Sequence, residues 1–356
     1  MSDLRTIADR VQTIHDRYRR EFAGKSRISR DLALLDQLIA SLQGAQNDVG
    51  ALADSGELGP LVTTRLKLYS DERAAIDKAQ SGGPDEVLAH RIADWGWLNH
   101  RRYVRHFAGK SRPTRDLGLL REIVTEQRRY RDELAKLMSR QEPGWRGELL
   151  AQIESNLKMY TAELDAIPAA RAEQGAHRRV GILATAANTQ FSHWRNHFAE
   201  KSRRTRRAAL LRRMIAALEG IHSEMETARD QGIKSDSHIS NIGKVTSRLE
   251  LYRRELGLIE QAAASAGPDE IARGLGTDAN AQFSAYRAGF AGKSRNQVDE
   301  AALNTICDQL QEIVRGMDTL DRTWARPVNA KNLGVVIENL KQYEREHNLI
   351  IQAKQG

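Results

Sequence analysis

Apolar residues recur three and four positions apart through the first twenty or so residues, which is the spacing of one face of an amphipathic helix. The positions that carry this face are Ile7, Val11, Ile14, Tyr18 and Phe22. The pattern predicts a first helix, helix A, over about residues 4–23. Gly24 is expected to end it, and Ser26 or Ser29 is expected to cap the next helix.

Two more amphipathic segments follow. Helix B keeps one apolar face through Leu34, Leu38 and Leu42, and residues 50–60 form a stretch broken by glycine and proline. Helix C carries Leu66 and Tyr69. Three amphipathic helices with short connections predict an up-down-up bundle.

Two signatures occur four times in the chain. The first is Phe-Ala-Gly-Lys-Ser-Arg, with Glu200 in place of the glycine in the third copy. Its phenylalanines are Phe22, Phe107, Phe198 and Phe290, which lie 85, 91 and 92 residues apart. The second is Leu-x-x-Tyr-x-x-Glu, whose tyrosines, Tyr69, Tyr160, Tyr252 and Tyr343, lie 91, 92 and 91 residues apart. The chain is therefore four copies of one unit.

The predicted fold is all-α, with four tandem three-helix repeats of about 90 residues and about twelve helices. The predicted repeats are residues 1–82, 83–175, 176–266 and 267–356. His15 and His100 occupy a position that holds Phe191 and Phe283 in copies three and four. This difference suggests a pairing of the repeats into halves 1–175 and 176–356.

The amino-acid composition indicates the structural class of the protein but not its function. The 356 residues are 40% hydrophobic and 29% charged, with 7 prolines, which is typical of a globular helical protein. We expect a cytoplasmic protein, because the start lacks the apolar segment of a signal peptide and no apolar run is long enough to cross a bilayer. Cys307, the one cysteine, falls where the other copies hold Ile39, Val124 and Ile215, so we expect a buried thiol.

The repeated cations are the main candidates for function. Each copy places them between helices A and B, where the positive end of the helix B dipole disfavours them by about 0.3–1 kcal/mol per group. The candidate anion-binding or partner-binding residues are Lys25, Arg27, Arg30, Lys110, Arg112, Arg115, Lys201, Arg203, Arg204, Arg206, Arg207, Lys293 and Arg295. We call each group an arginine turn. Copy four has Val298 in place of the third cation.

Because these cations recur where the helix dipole disfavours them, we expect an anion that compensates their charge. This anion could come from the chain itself or from a partner. Parallel helices A and C would bring the motif carboxylates Glu72, Glu163, Glu255 and Glu346 to the arginine turn of their own copy. These four are the expected structural ion-pair partners, with the motif tyrosine hydroxyl bonded nearby. The other source is external: a phosphate, a nucleic-acid backbone or an acidic protein.

Copy three favours the external source, because its cations are the most crowded. Seven lie within thirteen residues: Lys201, Arg203, Arg204, Arg206, Arg207, Arg212 and Arg213. Arg207 stands where the other copies have Asp31, Asp116 and Asp299. We expect one local carboxylate to be too few to neutralise them.

Catalytic and metal motifs are weak. Gly24-Lys25-Ser26 lacks the earlier glycine of a phosphate loop and follows a helix. His193 and His197 share a helical face but have no evident third ligand, and Glu344 with His347 supplies only one of the two pairs that a di-iron bundle needs. We predict no catalytic residue, no metal and no cofactor.

The expected function is a non-catalytic scaffold or adaptor that presents repeated basic turns to an acidic or repetitive protein partner. The first alternative is a protein that binds nucleic acid or another polyanion through the four turns, in line with a net charge of +8. The second alternative is an enzyme with a site between the two halves.

Overall fold

A computed structural model describes residues 4–22, 27–52, 56–139, 144–199 and 201–355. These residues contain twelve α-helices and no strand, which confirms the all-α prediction. The helices are α1 (Leu4–Phe22), α2 (Leu32–Gly50), α3 (Leu58–Ser81), α4 (Gly83–Phe107), α5 (Leu117–Met138), α6 (Gly144–Ala172), α7 (Ala176–Phe198), α8 (Ala208–Asp230), α9 (Asp236–Ser265), α10 (Pro268–Phe290), α11 (Glu300–Thr323) and α12 (Pro327–Gln355).

In copies one, two and four the second helix is capped by aspartate, so the serine cap expected from the sequence was wrong. Asp31 accepts a hydrogen bond from the Leu34 amide, and Asp116 accepts one from the Leu119 amide. Ser29 instead closes a short 3₁₀ turn before Asp31, so the helix begins later than expected. Ser26 lies outside the described residues.

The turn after the first helix of a copy requires a left-handed residue where the motif has glycine. Gly109 has φ 70° and Gly292 has φ 72°, a conformation that costs a residue with a Cβ more than it costs glycine. These two glycines occupy the motif position of Gly24, which the sequence predicted as the stop of the first helix. Gly24 and Glu200 lie outside the described residues.

The chain divides into two compact units, residues 1–94 and 95–356. The first unit contains a core cluster built from α1, α2 and α3, in which Phe22, Leu42 and Tyr69 are fully buried. The second unit contains one cluster from α4, α5 and α6 around Phe107 and another from α7, α8 and α9 around Phe198.

Aromatic residues connect the first and third helices of every copy. The ring centroids of Tyr18 and Tyr69 are 4.1 Å apart, and those of Tyr286 and Tyr343 are 3.7 Å apart. Tyr103 meets Tyr160 at 4.6 Å, and Trp194 meets Tyr252 at 5.7 Å. These pairs agree with a role in core packing, since stacked aromatic pairs add about 0.5–1.5 kcal/mol beyond their burial.

The motif tyrosine hydroxyls find a partner other than the expected ion pair. The Tyr69 hydroxyl lies 3.1 Å from Nδ1 of His15, and the Tyr160 hydroxyl lies 2.9 Å from Nδ1 of His100. Copies three and four hold Phe191 and Phe283 at the histidine position, which cannot form this bond.

Candidate functional site: the arginine turns and an ionic cluster

The structure places the Glu72 carboxylate against the arginine turn of its own copy. Arg27 donates two hydrogen bonds to it, from Nε to Oε1 and from Nη2 to Oε2, both at 3.1 Å. Arg30 donates a third from Nη1 to Oε1. The Glu72 side chain is 12% exposed, so the pair is partly shielded from water. Lys25 lies outside the described residues.

Copies two and three repeat this arrangement with the matching atoms. Arg112 donates from Nε to Oε1 of Glu163 at 3.2 Å, and Arg115 donates from Nη1 to the same oxygen at 2.5 Å. In copy three, Nε of Arg203 lies 2.9 Å from Oε1 of Glu255, which also accepts from Nη1 of Arg206. The hydrogen bond from Arg203 and the nearby charge of Arg206 lower the pKa of Glu255.

Copy four keeps half of the arrangement. Arg295 donates to Glu346 from Nε at 2.7 Å and from Nη2 at 3.2 Å. Val298 stands where the other copies have their second arginine. The Glu346 side chain is 23% exposed, about twice the value of Glu72.

The lysines of the turns do not share one environment. Lys110 is more exposed than the half-buried Lys201, and burial lowers the pKa of both ammonium groups. Lys293 donates from Nζ to the backbone oxygen of Ala288 at 2.9 Å, so its ammonium group turns back toward the end of α10.

The motif carboxylate of copy three is too few for its arginines, as expected, but other carboxylates of the chain pair with the rest. All six of its arginines have carboxylate partners, and three of the five carboxylates belong to other copies. The partners are Glu255 for Arg203 and Arg206, Glu270 for Arg204, Glu312 for Arg207, Glu260 for Arg212 and Glu122 for Arg213. Counting charges copy by copy missed partners that come from other copies.

Arg207 shows how a substitution within the repeat is used. It precedes α8 at the position where the sister copies have a capping aspartate, and its side chain makes no cap hydrogen bond. Its Nη1 donates instead to Oε2 of Glu312 on α11. The copy therefore gives up a cap worth about 1 kcal/mol and gains a buried ion pair.

Arg207 belongs to a larger group within the second unit, which we call the ionic cluster. Five arginines and five carboxylates from α4, α5, α8 with its N-cap, α11 and α12 meet there. Its members are Arg102, Arg105, Glu122, Glu126, Arg207, Arg213, Asp308, Glu312, Arg315 and Glu344.

The contacts of the ionic cluster run through α11. Arg315 donates to Glu122 at 2.8 Å, to Glu126 at 2.6 Å and to Glu312 at 2.5 Å. Arg105 donates to Asp308 at 2.8 Å, and its Nη2 lies 3.2 Å from Oε1 of Glu344. Ion pairs thus join copies two, three and four.

Burial disfavours the charged form of every group in this cluster, and the neighbouring charges determine whether the pKa of each group is raised or lowered. Burial alone would raise the pKa of Glu312, but Arg315, Arg207, Arg213 and Arg102 hold that pKa well below its usual range. Burial lowers the pKa of Arg213 to about 9. A buried set of opposite charges is expensive to desolvate, so removing one member leaves another buried charge without compensation.

Cys307, His106 and His197 border the cluster next to its member Glu344. The Glu344 side chain has no exposed surface, and burial raises its pKa. Cys307 is buried as predicted, and burial raises the pKa of its thiol well above the usual value. Burial also lowers the pKa of His106 and of His197 to about 4. Nε2 of His106 lies 2.9 Å from Oδ1 of Asp308.

The histidine pair considered as a metal site lies beside this region. The ring centroids of His193 and His197 are 6.2 Å apart and nearly perpendicular. Within the described residues, no group of three or more His, Cys, Asp or Glu side chains has an arrangement that could hold a metal ion.

Sequence reasoning missed the ionic cluster because its members do not recur at equivalent positions of the copies. The position of Glu312 holds Gly44, Arg129 and Gly220 in the other copies. The one visible signal was Arg207, a cation in a position that is otherwise aspartate.

Comparison of the chain with models of protein families, with curated proteins and with solved structures finds no match. Among the described residues, no helix has a segment both long and apolar enough to span a bilayer. The function proposed below therefore rests on the residues of this chain.

Proposed function

We propose that this chain is a non-catalytic helical-repeat scaffold or adaptor, built from four up-down-up units of three helices. Three observations support the unit: the core clusters, the aromatic pairs, and the carboxylate of each third helix bonded to the turn after the first helix. The repeat boundaries predicted above and a cytoplasmic location are part of this proposal.

The observation that carries the function is a line of exposed apolar residues on the third helix of the copies. Ten large apolar side chains are exposed in the described part of the chain, and eight of them occupy equivalent positions. These positions lie 15, 8 and 1 residues before the motif tyrosine and 6 residues after it. The eight residues, which we call the outer stripe, are Leu61, Leu68, Trp145, Met159, Leu258, Val328, Val335 and Leu349.

The spacing of the outer stripe suits a helical partner. Single exposed apolar residues are normal on protein surfaces. Positions seven residues apart, however, stay on one face of a helix and form the seam along which a second helix packs. The stripe lies one residue before the buried line of Val62, Tyr69 and Ile76, about 100° around the helix, so it is separate from the core face.

We therefore propose that the outer stripe binds amphipathic helices of a protein partner. Because the outer stripe has members on the third helix of all four copies, it would raise the apparent affinity for a partner that repeats its helix. In this proposal the arginine turns close each copy internally, because their described arginines already bond to carboxylates. The net charge of +8 favours a partner helix with acidic flanks.

The test uses synthetic helical peptides with leucine at heptad positions and either glutamate or lysine flanks, measured by fluorescence anisotropy. We expect the glutamate peptide to bind more tightly. Changing Leu68, Leu258 and Val335 to lysine should weaken binding at least about fivefold, which corresponds to about 1 kcal/mol.

Leu4 and Ile239 provide the matched control, because they are 44% and 45% exposed but lie off the stripe. Their change to lysine should leave peptide affinity unchanged. Equal losses in both variants, or no binding by either peptide, would contradict a helix-binding stripe.

A polyanion-binding function is the second candidate, and the net charge of +8 is what favours it. Arg204 and Arg212 are its best carriers, since their side chains are 49% and 59% exposed even though each has a carboxylate partner. Retention on a heparin column at 50 mM salt, lost when both are changed to glutamate, would support this candidate. Passage of the wild-type protein without retention would exclude it.

A further inference from the structure

Copy four differs from its sisters at the position that completes the arginine turn. In copies one to three, a second arginine donates from Nη1 to Oε1 of the motif glutamate; these residues are Arg30, Arg115 and Arg206. Val298 holds this position in copy four and has no polar group. Oε1 of Glu346 accordingly accepts from Arg295, and no second arginine is bonded to it among the described residues.

A cleft lies beside the carboxylate of Glu346, which is more exposed than the motif carboxylates of the other copies. It has a volume of about 630 Å³, and its lining includes Tyr286, Phe290, Arg295, Asn296 and Glu346. The cleft therefore combines a carboxylate, which has a free lone pair, with aromatic rings and polar groups of the turn. A second cleft of about 620 Å³ adjoins it around Val298 and Gln282.

We propose that the cleft at Glu346 binds an arginine side chain of a partner protein, which takes the place that an internal arginine has in the sister copies. A guanidinium can donate to the open side of Oε1 and stack on an aromatic face, which an ammonium group does less well. The three sister copies show that this carboxylate position accepts two guanidinium groups at once.

An anion fits the cleft less well, although Lys293 and Arg295 both line it. The ammonium group of Lys293 is bonded to the Ala288 backbone oxygen, and both donors of Arg295 that face Glu346 are in use. An incoming anion would also approach a carboxylate. With an incoming guanidinium beside Lys293 and Arg295, the turn would hold three cations, the number found in the turns of copies one and two.

The arginine site does not rest on the proposed helix-binding function, because it lies at the turn and not on the outer stripe. It can therefore be tested with a probe that has no helix. N-acetyl-L-argininamide is the probe, and its neutral isostere N-acetyl-L-citrullinamide is the control ligand. Binding is followed on the full chain through the amide NMR signals of Gly292, Ser294 and Asn296.

We expect saturable shifts with the arginine probe and a dissociation constant on the order of millimolar, as befits one partly exposed ion pair. The citrulline probe should cause at most a tenth of the shift. An equal response to both probes, or no saturation below about 50 mM, would overturn the proposal.

Two variants locate the site. Val298→Arg restores the sister sequence and should abolish the shifts by occupying Glu346 from within, and Glu346→Gln should weaken binding at least about tenfold. Glu255→Gln, the same change in copy three, should leave the arginine response unchanged. Val298→Arg is expected to fold, because three copies carry arginine there, and undiminished binding in that variant would refute the site.

Discussion

The glutamate of the Leu-x-x-Tyr-x-x-Glu signature should differ in its contribution to stability between copies two and four. The change is Glu163→Gln compared with Glu346→Gln. Both residues lie in the second compact unit, so the two variants perturb the same part of the fold. Glutamine keeps the shape of the side chain and removes its charge.

The magnitude follows from what each change leaves behind. Glu163 is 9% exposed and bonds to Arg112 and to Arg115, whose side chain is only 16% exposed. Loss of its charge leaves the Arg115 guanidinium shielded from water with only neutral oxygens as partners, among them the backbone oxygen of Lys110, at a cost of about 1–3 kcal/mol. Glu346 is 23% exposed and its partner Arg295 is 49% exposed, so its loss should cost less than about 1 kcal/mol.

Urea unfolding followed by circular dichroism at pH 7 measures both variants against the wild-type protein. We expect the midpoint to shift clearly for Glu163→Gln and little for Glu346→Gln, with unchanged slopes. Equal shifts, or a larger shift for Glu346→Gln, would refute the link between the second arginine and stability. Adding 1 M salt should narrow the difference only slightly, because the copy-two pair is shielded.

Three further outcomes are expected. Glu312→Gln should destabilise the second unit by about 3–5 kcal/mol in thermal or urea unfolding, since it leaves several buried arginines undercompensated; a loss below 1 kcal/mol would contradict this. Stability should fall from pH 7 to pH 4, because burial lowers the pKa of His106 and of His197 from about 6.5 in the unfolded chain to about 4 in the folded one. The unfolded chain then binds more protons, and the lost stability is up to about 3 kcal/mol for each histidine; urea midpoints that stay constant over this range would contradict this. Asp116→Ala should cost about 1–2 kcal/mol and exceed the cost of Asp299→Ala, because Asp116 is half-buried and also accepts a hydrogen bond from Gln190, whereas Asp299 is exposed; the urea midpoints of the two variants decide.

The helices could be predicted because the spacing of apolar residues that indicates a helix lies within each segment. The apolar face of Ile7, Val11 and Ile14 and the recurrence of two signatures identify twelve helices without knowledge of long-range contacts. Helix caps were harder, since Ser29 and Asp31 are both good capping residues and only the backbone path selects the aspartate.

The arginine turns could be predicted in part for the same reason. Glu72 meets Arg27 within one copy, so parallel helices are enough to bring them together. The partner of Arg207 could not be found in this way, because Glu312 lies 105 residues further along the chain. The pairing of Arg207 with Glu312 depends on how the copies pack against each other, and the apolar periodicity of the two helices does not predict that packing.

The exchange of Asp for Arg at position 207 has a consequence for how such a chain can change over time. An array of equivalent units can gain, lose or reorder members freely, because each joint resembles the next. Here copy three holds a cation that needs the carboxylate of copy four, and copy two supplies Glu122 to Arg213 of copy three. Copies two, three and four are therefore no longer interchangeable, because each needs charged residues of another copy. Duplicating or deleting one of them would leave buried charges without partners.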